Sequence, residues 1–101
     1  MNVKKNWRSH IRAEGDRRFW VHEGLVLSDL QELRNALAYK EISESQFMHH
    51  VTDGRNDFAN WIELVLCDEK CAAAVRKIKS FKGLLGTIDR NLKHYKKVQL
   101  R

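Results

Sequence analysis

Apolar positions along this chain change their spacing several times, and each change suggests an element boundary. Phe58, Trp61, Ile62, Val65 and Leu66 stand at i, i+3, i+4, i+7 and i+8, the stripe of a helix with one buried face. Carried forward in phase, that stripe meets Glu69, whereas the next apolar set is Ala72, Val75 and Ile78. The shift predicts a break at Cys67 and a new helix capped by Asp68, whose short carboxylate accepts from first-turn amides. Phe81, Leu84, Leu85, Ile88, Leu92 and Tyr95 then form a last apolar stripe. Lys82, Arg90, Lys93, Lys97 and Arg101 fall on its far side. Upstream, Leu30, Leu33, Ala36 and Leu37 mark another helix, for which Ser28-x-x-Gln31 offers a capping box. Ser43-x-x-Gln46 repeats the box, with Ile42 placed to staple onto Phe47.

Two segments are not helical in pattern. Phe19-Trp20-Val21 and Leu25-Val26-Leu27 are short β-prone runs around His22-Glu23-Gly24, which predicts a hairpin with glycine in the turn. A lone two-stranded hairpin is marginal, so it must pack on the helices or gain a strand. Residues 1–17 read as a basic arm or short helix, in which Val3, Trp7 and Ile11 are interleaved with Lys4, Lys5, Arg8 and Arg12. Residues 18–101 then form a single domain, with a core at 18–78 and a basic amphipathic C-terminal helix at 80–97. The expected fold class is mainly α: a compact domain of about five helices with a short N-terminal β-hairpin and a basic arm.

Composition supports that picture. Proline is absent from the 101 residues, which favours long helices and few rigid turns. No apolar run reaches the roughly 18 residues of a membrane span, and the basic start lacks the apolar core of a secretory signal. Cys67 and Cys71, four apart on one helical face, are poorly placed to bond to each other and offer no zinc motif. Both are expected to be reduced, in a cytoplasmic protein. The net charge of +6 is unevenly spread: residues 1–18 carry +4, residues 76–101 carry +8, and residues 19–75 carry −6. Basic ends around an acidic centre suit a polyanion or an acidic partner surface.

The densest chemistry lies at 47–62, FMHHVTDGRNDFANWI. Histidines with carboxylates bind first-row metals, and a His–Asp pair does acid–base work. His50 and Asp57, with His22 approaching from the hairpin turn, are the residues a metal would use. Adjacent histidines diverge by about 100° on a helix, however, and no His-x-x-x-His or Glu-x-x-His completes a ligand set. The structural alternative explains more. Gly54 takes the left-handed conformation and ends one helix, Asn56 or Asp57 caps the next, and His50 finds a partner in Asp57 or Asn60 beside Trp61. Cys67 as a nucleophile with His50 has no supporting motif. There is no phosphate-cradling glycine loop and no nucleophile elbow. Gly83 and Gly86 suggest close helix packing.

Within this stretch, His50, Val51, Asn56, Asp57, Phe58, Asn60, Trp61, Ile62, Val65 and Asp68 spell HV-x(4)-NDF-x-NWI-x-x-V-x-x-D. The string resembles the signature of a small archaeal and bacterial domain family of unknown function. The upstream FWVHEGLVLSDLQEL resembles it too, so the similarity covers about residues 18–78. Two departures stand out: His49 doubles the histidine, and Cys67 occupies a place where a small residue such as glycine belongs. The resemblance implies a domain and no activity.

The expected function is a non-enzymatic binding module without a cofactor, whose basic ends contact RNA, DNA or an acidic protein surface, with RNA or a ribonucleoprotein favoured. The contact residues would be Lys4, Lys5, Trp7, Arg8 and Arg12 at one end. At the other they would be Lys82, Arg90, Lys93, Lys96, Lys97 and Arg101. A protein-interaction or self-assembling subunit is the first alternative, through a hairpin edge or surplus apolar surface on the last helix. A metal-binding protein using His50 and Asp57 is the second.

Overall fold

Why the chain turns where it does is visible in its caps. A computed structural model of the chain describes residues 10–95. It contains α1 (Leu30–Ala38), α2 (Glu44–His50), α3 (Asp57–Leu64), α4 (Glu69–Arg76) and α5 (Phe81–Leu92). Every one starts at a short polar side chain that accepts from an amide three residues on: Asp29, Ser43, Asn56, Asp68 and Ser80. At Ser43 the box is reciprocal, since Gln46 Oε1 also accepts from the Ser43 amide at 2.8 Å. The expected box at Ser28 is displaced by one residue. Asp29 is the cap, and Glu32, not Gln31, reaches back, to the Ser28 amide at 2.7 Å. This frame wins because Asp29 is also the partner of His10 and Arg12, at 2.9 and 2.8 Å, which ties the chain entering the hairpin to α1.

Between α1 and the N-terminal segment lies the hairpin of β1 (Phe19–Trp20) and β2 (Val26–Leu27), antiparallel with Phe19 opposite Leu27 and Trp20 opposite Val26. Phe19, Val21 and Leu27 point into the core, and Trp20 points out. Glycine is in the turn as expected, but the left-handed residue is Glu23, at φ 54°. Gly24 serves a different need. A Cβ there would lie 2.6 Å from the Gln46 amide nitrogen, which donates to the His22 and Glu23 carbonyls at 2.9 and 3.3 Å and so pins the turn to α2.

A second hairpin was not anticipated. β3 (Val51–Thr52) pairs with β4 (Arg55–Asn56) around Asp53-Gly54. Gly54 is therefore not a left-handed helix terminator, and its φ lies outside that region. Helix α2 stops at His50 because Val51 is already extended, at φ −128° and ψ 109°, and begins a strand.

Helix α3 packs on α4, and α5 packs on both α1 and α4. Leu33, Ile42, Phe58, Ile62, Val75 and Ile88 are wholly enclosed between them. The predicted stripe of α3 is buried through Trp61, Ile62 and Leu66, and the break near Cys67 with a restart at Asp68 is present. Gly83 and Gly86 do not mark a helix–helix approach. A Cβ at Gly83 would lie 2.8 Å from Ser80 Oγ, the cap of its own helix, and Gly86 meets only the Arg90 side chain, at 3.5 Å. The described end of the arm, residues 10–17, is docked rather than free. Ala13 is buried and donates to the Ser28 carbonyl at 2.7 Å, and Trp61 Nε1 donates to the Arg17 carbonyl at 2.9 Å.

Two helix exits use a left-handed residue other than glycine. Lys40, at φ 61°, follows α1 while Glu41 and Lys40 donate back to the Ala36 and Leu37 carbonyls, a Schellman closure. Cys67, at φ 60°, closes the exit from α3. The position where the resembled pattern wants a small residue is thus one where a Cβ is strained. Lys40→Gly and Cys67→Gly should each raise unfolding stability by about 0.5–1 kcal/mol, read as a shifted urea midpoint. A loss at either site would show that its side chain compensates for the strain.

Candidate functional site

His50 ends α2 with its ring enclosed, 6% exposed, and edge-on to Phe19 and Phe58 at centroid distances of 4.9 and 5.4 Å. The His22 main-chain N–H lies 3.0 Å from Nε2. An amide only donates, so Nε2 is the bare acceptor and the ring proton sits on Nδ1. Nδ1–H then donates to Asp57 Oδ2 at 2.9 Å. Both nitrogens of a neutral imidazole are committed, which leaves no lone pair for a metal and no free base for a nucleophile. His22 does come to His50, but through its backbone. Its ring stacks on that of His49, centroids 3.7 Å apart and planes 8° from parallel. Cys67 is exposed at the exit of α3, with its thiol directed at the Val65 carbonyl. Among the described residues no group of three or more His, Cys, Asp or Glu side chains is arranged to hold a metal ion.

Asp57 uses its second oxygen on Arg55, whose Nε is 3.2 Å away, and Arg55 also donates to the His49 carbonyl. Trp61 belongs to the same junction through Phe19, at a centroid distance of 5.4 Å. Asn60 does not. Its Oδ1 accepts from Arg76 Nη1 at 2.9 Å, and Arg76 Nη2 donates to Glu63 at 2.7 Å. Asn56 is more central than its capping role suggested, for its Nδ2 also donates to the Val75 carbonyl at 3.1 Å and joins the second hairpin to α4. Asp68 likewise caps α4 and accepts from Tyr95 Oη at 2.6 Å, linking the end of the described chain to the α3–α4 corner.

The stacked His49 has its pKa lowered, first by lost hydration and then by the facing His22 ring, His50 and Arg55, with Asp57 acting in the opposite direction. A lowered pKa means that the unfolded chain takes the proton more readily. Stability is therefore full above about pH 6.5, the ordinary histidine value, and falls as pH drops below it. Melting temperatures between about pH 7.5 and 5 should show that fall, and His49→Gln should make it shallower. An unchanged slope would show that the stacked ring does not contribute.

The predicted anion-contacting residues separate into three groups. Lys4, Lys5, Trp7, Arg8, Lys96, Lys97 and Arg101 lie outside the described residues. Arg12 is committed: its pKa is raised, chiefly by the charge of Asp29, and it bonds both Asp29 and Glu32, the latter at 3.3 Å. Lys82, Arg90 and Lys93 are exposed on the outer side of α5, as its stripe required. Sequence reasoning missed Arg76, Lys77 and Lys79, which with Lys82 form an exposed cationic run through the α4–α5 corner. It also missed a concavity of about 240 Å³ between the β3–β4 turn and this corner, lined by Arg55, Arg76 and Lys79. The run RKIKSFK was a visible signal; the approach of Arg55 was not, since it depends on an unforeseen hairpin.

No known family model, curated protein or solved structure matches the chain. The His–Asp pair is arranged to hold the junction together, and the exposed cations outside it gather locally at Arg76, Lys77, Lys79 and Lys82 in the α4–α5 corner. No helix among the described residues is long and apolar enough to cross a membrane.

Proposed function

We propose that the protein is a non-catalytic, cytoplasmic module that binds a polyanion, with RNA or a ribonucleoprotein surface as its partner. One observation carries this reading: Arg76, Lys77, Lys79 and Lys82 are all exposed in the α4–α5 corner, and among the described residues only Arg76 of the four has an ion-pair partner. Unpaired ammonium groups on a rigid corner are suited to phosphates, each contact releasing a condensed counterion. The committed state of His50 supports the non-catalytic part. The family resemblance is kept as a proposal too, supported by the junction roles of His50, Asn56, Asp57 and Asp68.

Fluorescence anisotropy with single-stranded RNA tests the reading. About four phosphate contacts predict a roughly 50-fold weakening between about 50 and 200 mM salt. No binding at the lower salt, or binding indifferent to salt, would end the proposal. Trimming residues 1–9 separates the contribution of the arm, because residues 10–17 belong to the folded body.

Exposed apolar side chains favour the self-assembly reading: Trp20 is 59% exposed on the outward face of β1, opposite Val26, and Tyr39, Met48 and Leu64 are exposed elsewhere. Helix α5 offers no bare apolar face to match, since Leu84 and Ile88 are buried against the core and Phe81, Leu85 and Leu92 pack on it. A monomer by light scattering at high concentration, unchanged in Trp20→Ser, would exclude assembly through that residue.

A further inference from the structure

The geometry points to a seat for a single phosphate group in the concavity between the β3–β4 turn and the end of α4, with Arg55, Arg76 and Lys79 as its donors. The inference deepens the polyanion reading, on which it rests, by fixing where one phosphate of the strand is held.

Both guanidinium groups are placed by contacts of their own. Arg55 is held by Asp57 and the His49 carbonyl, and Arg76 by Asn60 and Glu63. A guanidinium has five N–H donors; Arg76 donates two side-chain hydrogen bonds and Arg55 one beside its ion pair with Asp57, so most of each fork remains unused. Each side chain stays nearly half exposed, 48% for Arg55 and 44% for Arg76. Forks fixed in this way lose little freedom on meeting a ligand, which is the condition for selective anion binding. Asp57 is itself held by the neutral His50, so the orientation of Arg55 is traceable to the buried junction.

Lys79 supplies the third direction. It lines the concavity and makes no ion pair among the described residues. Thr52 lines the same wall, and the turn itself is open, with nothing within 4 Å of a Cβ built on Gly54. Three separate cations around an open floor suit a tetrahedral anion, whose terminal oxygens diverge. A carboxylate is satisfied by one fork. Asp53 is the only acidic residue on the lining and weakens the site, which gives the inference a prediction of opposite sign.

The test uses the full chain, nitrogen-15 labelled, titrated with inorganic phosphate at constant ionic strength and in parallel with single-stranded RNA. Phosphate should move the Gly54 and Thr52 amides and the Arg55 and Arg76 Nε signals along one saturating curve. Lys79→Gln, which removes no ion pair or side-chain hydrogen bond among the described residues, should weaken both phosphate and RNA binding about 5-fold, the scale of one exposed charge contact. Asp53→Asn should tighten both about 2-fold. Lys70→Gln, exposed in the first turn of α4 and absent from the lining of the concavity, should leave the phosphate curve unchanged. Shifts spread over all the lysines without saturation, or indifference to both Lys79→Gln and Asp53→Asn, would overturn the seat. A saturating phosphate curve with no RNA binding keeps the seat and removes the RNA reading. RNA binding unaltered by both variants keeps the RNA reading and removes the seat.

Discussion

Replacing His50 with alanine should cost about 3 kcal/mol of unfolding stability. Two physical losses combine. The His22 amide loses the one acceptor it has among the described residues, in a part-buried bond, and an N–H left unpaired away from water costs about 1–3 kcal/mol. The removed ring also leaves a gap against Phe19 and Phe58, which now face empty volume. Urea unfolding should show an earlier midpoint with an unchanged slope, and the His22 amide should lose its protection from hydrogen exchange. Asp57→Asn should cost less, about 1 kcal/mol, because the amide still offers an oxygen to Nδ1–H. A loss below about 1 kcal/mol for His50→Ala would show that water replaces the ring and that the junction does not depend on it.

That result bears on residues 47–62, which run from the end of α2 through the second hairpin into α3. The sequence showed that His50 needed a partner and offered Asp57 or Asn60, and Asp57 is the side chain that bonds its Nδ1. It did not show that the second partner would be the backbone of His22, because main-chain donors leave no trace in residue identity. Asn60 was a reasonable rival for His50, but its position on α3 turns it towards Arg76 on α4. The side chains were legible as a set, and their pairing was settled by tertiary packing.

Helix boundaries were legible for a simpler reason: capping is local. Ser43 was identified by its box with Gln46 and the Ile42 staple, and Asp68 because a short acceptor preceded a change in apolar phase. At α1 two overlapping frames, Ser28 with Gln31 and Asp29 with Glu32, both fit the rule. The choice between them depended on His10 and Arg12, which are distant in sequence. Asp53-Gly54 was also ambiguous, since aspartate before glycine marks a hairpin as well as a helix end. Two residues on each side were too few to show alternation, so the strand reading was missed. With it went the placement of Arg55 beside Arg76 and Lys79, the one part of the candidate surface that local pattern could not supply.

The largest single loss is expected at Phe58. Its side chain is wholly enclosed and stacks on Phe19 at 4.8 Å and Phe47 at 6.2 Å, while His50 meets it edge-on. The ring thus joins the first hairpin, α2 and α3 at one point. Phe58→Ala should cost about 4 kcal/mol and Phe58→Leu a smaller part of that, since leucine refills most of the volume. A domain of this size is stable by only about 5–15 kcal/mol, so the alanine variant should lose a large share of its margin and melt with lower cooperativity. The more discriminating measurement is the double variant with His50→Ala. Because the two rings touch, the first truncation already relaxes the packing that the second would remove, and the combined loss should fall short of the sum by about 1 kcal/mol. Additive losses would mean that the His50 hydrogen bonds hold the hairpin independently of the aromatic cluster. A shortfall would mean that the polar junction and the apolar core act as one unit, with Arg55 positioned by both.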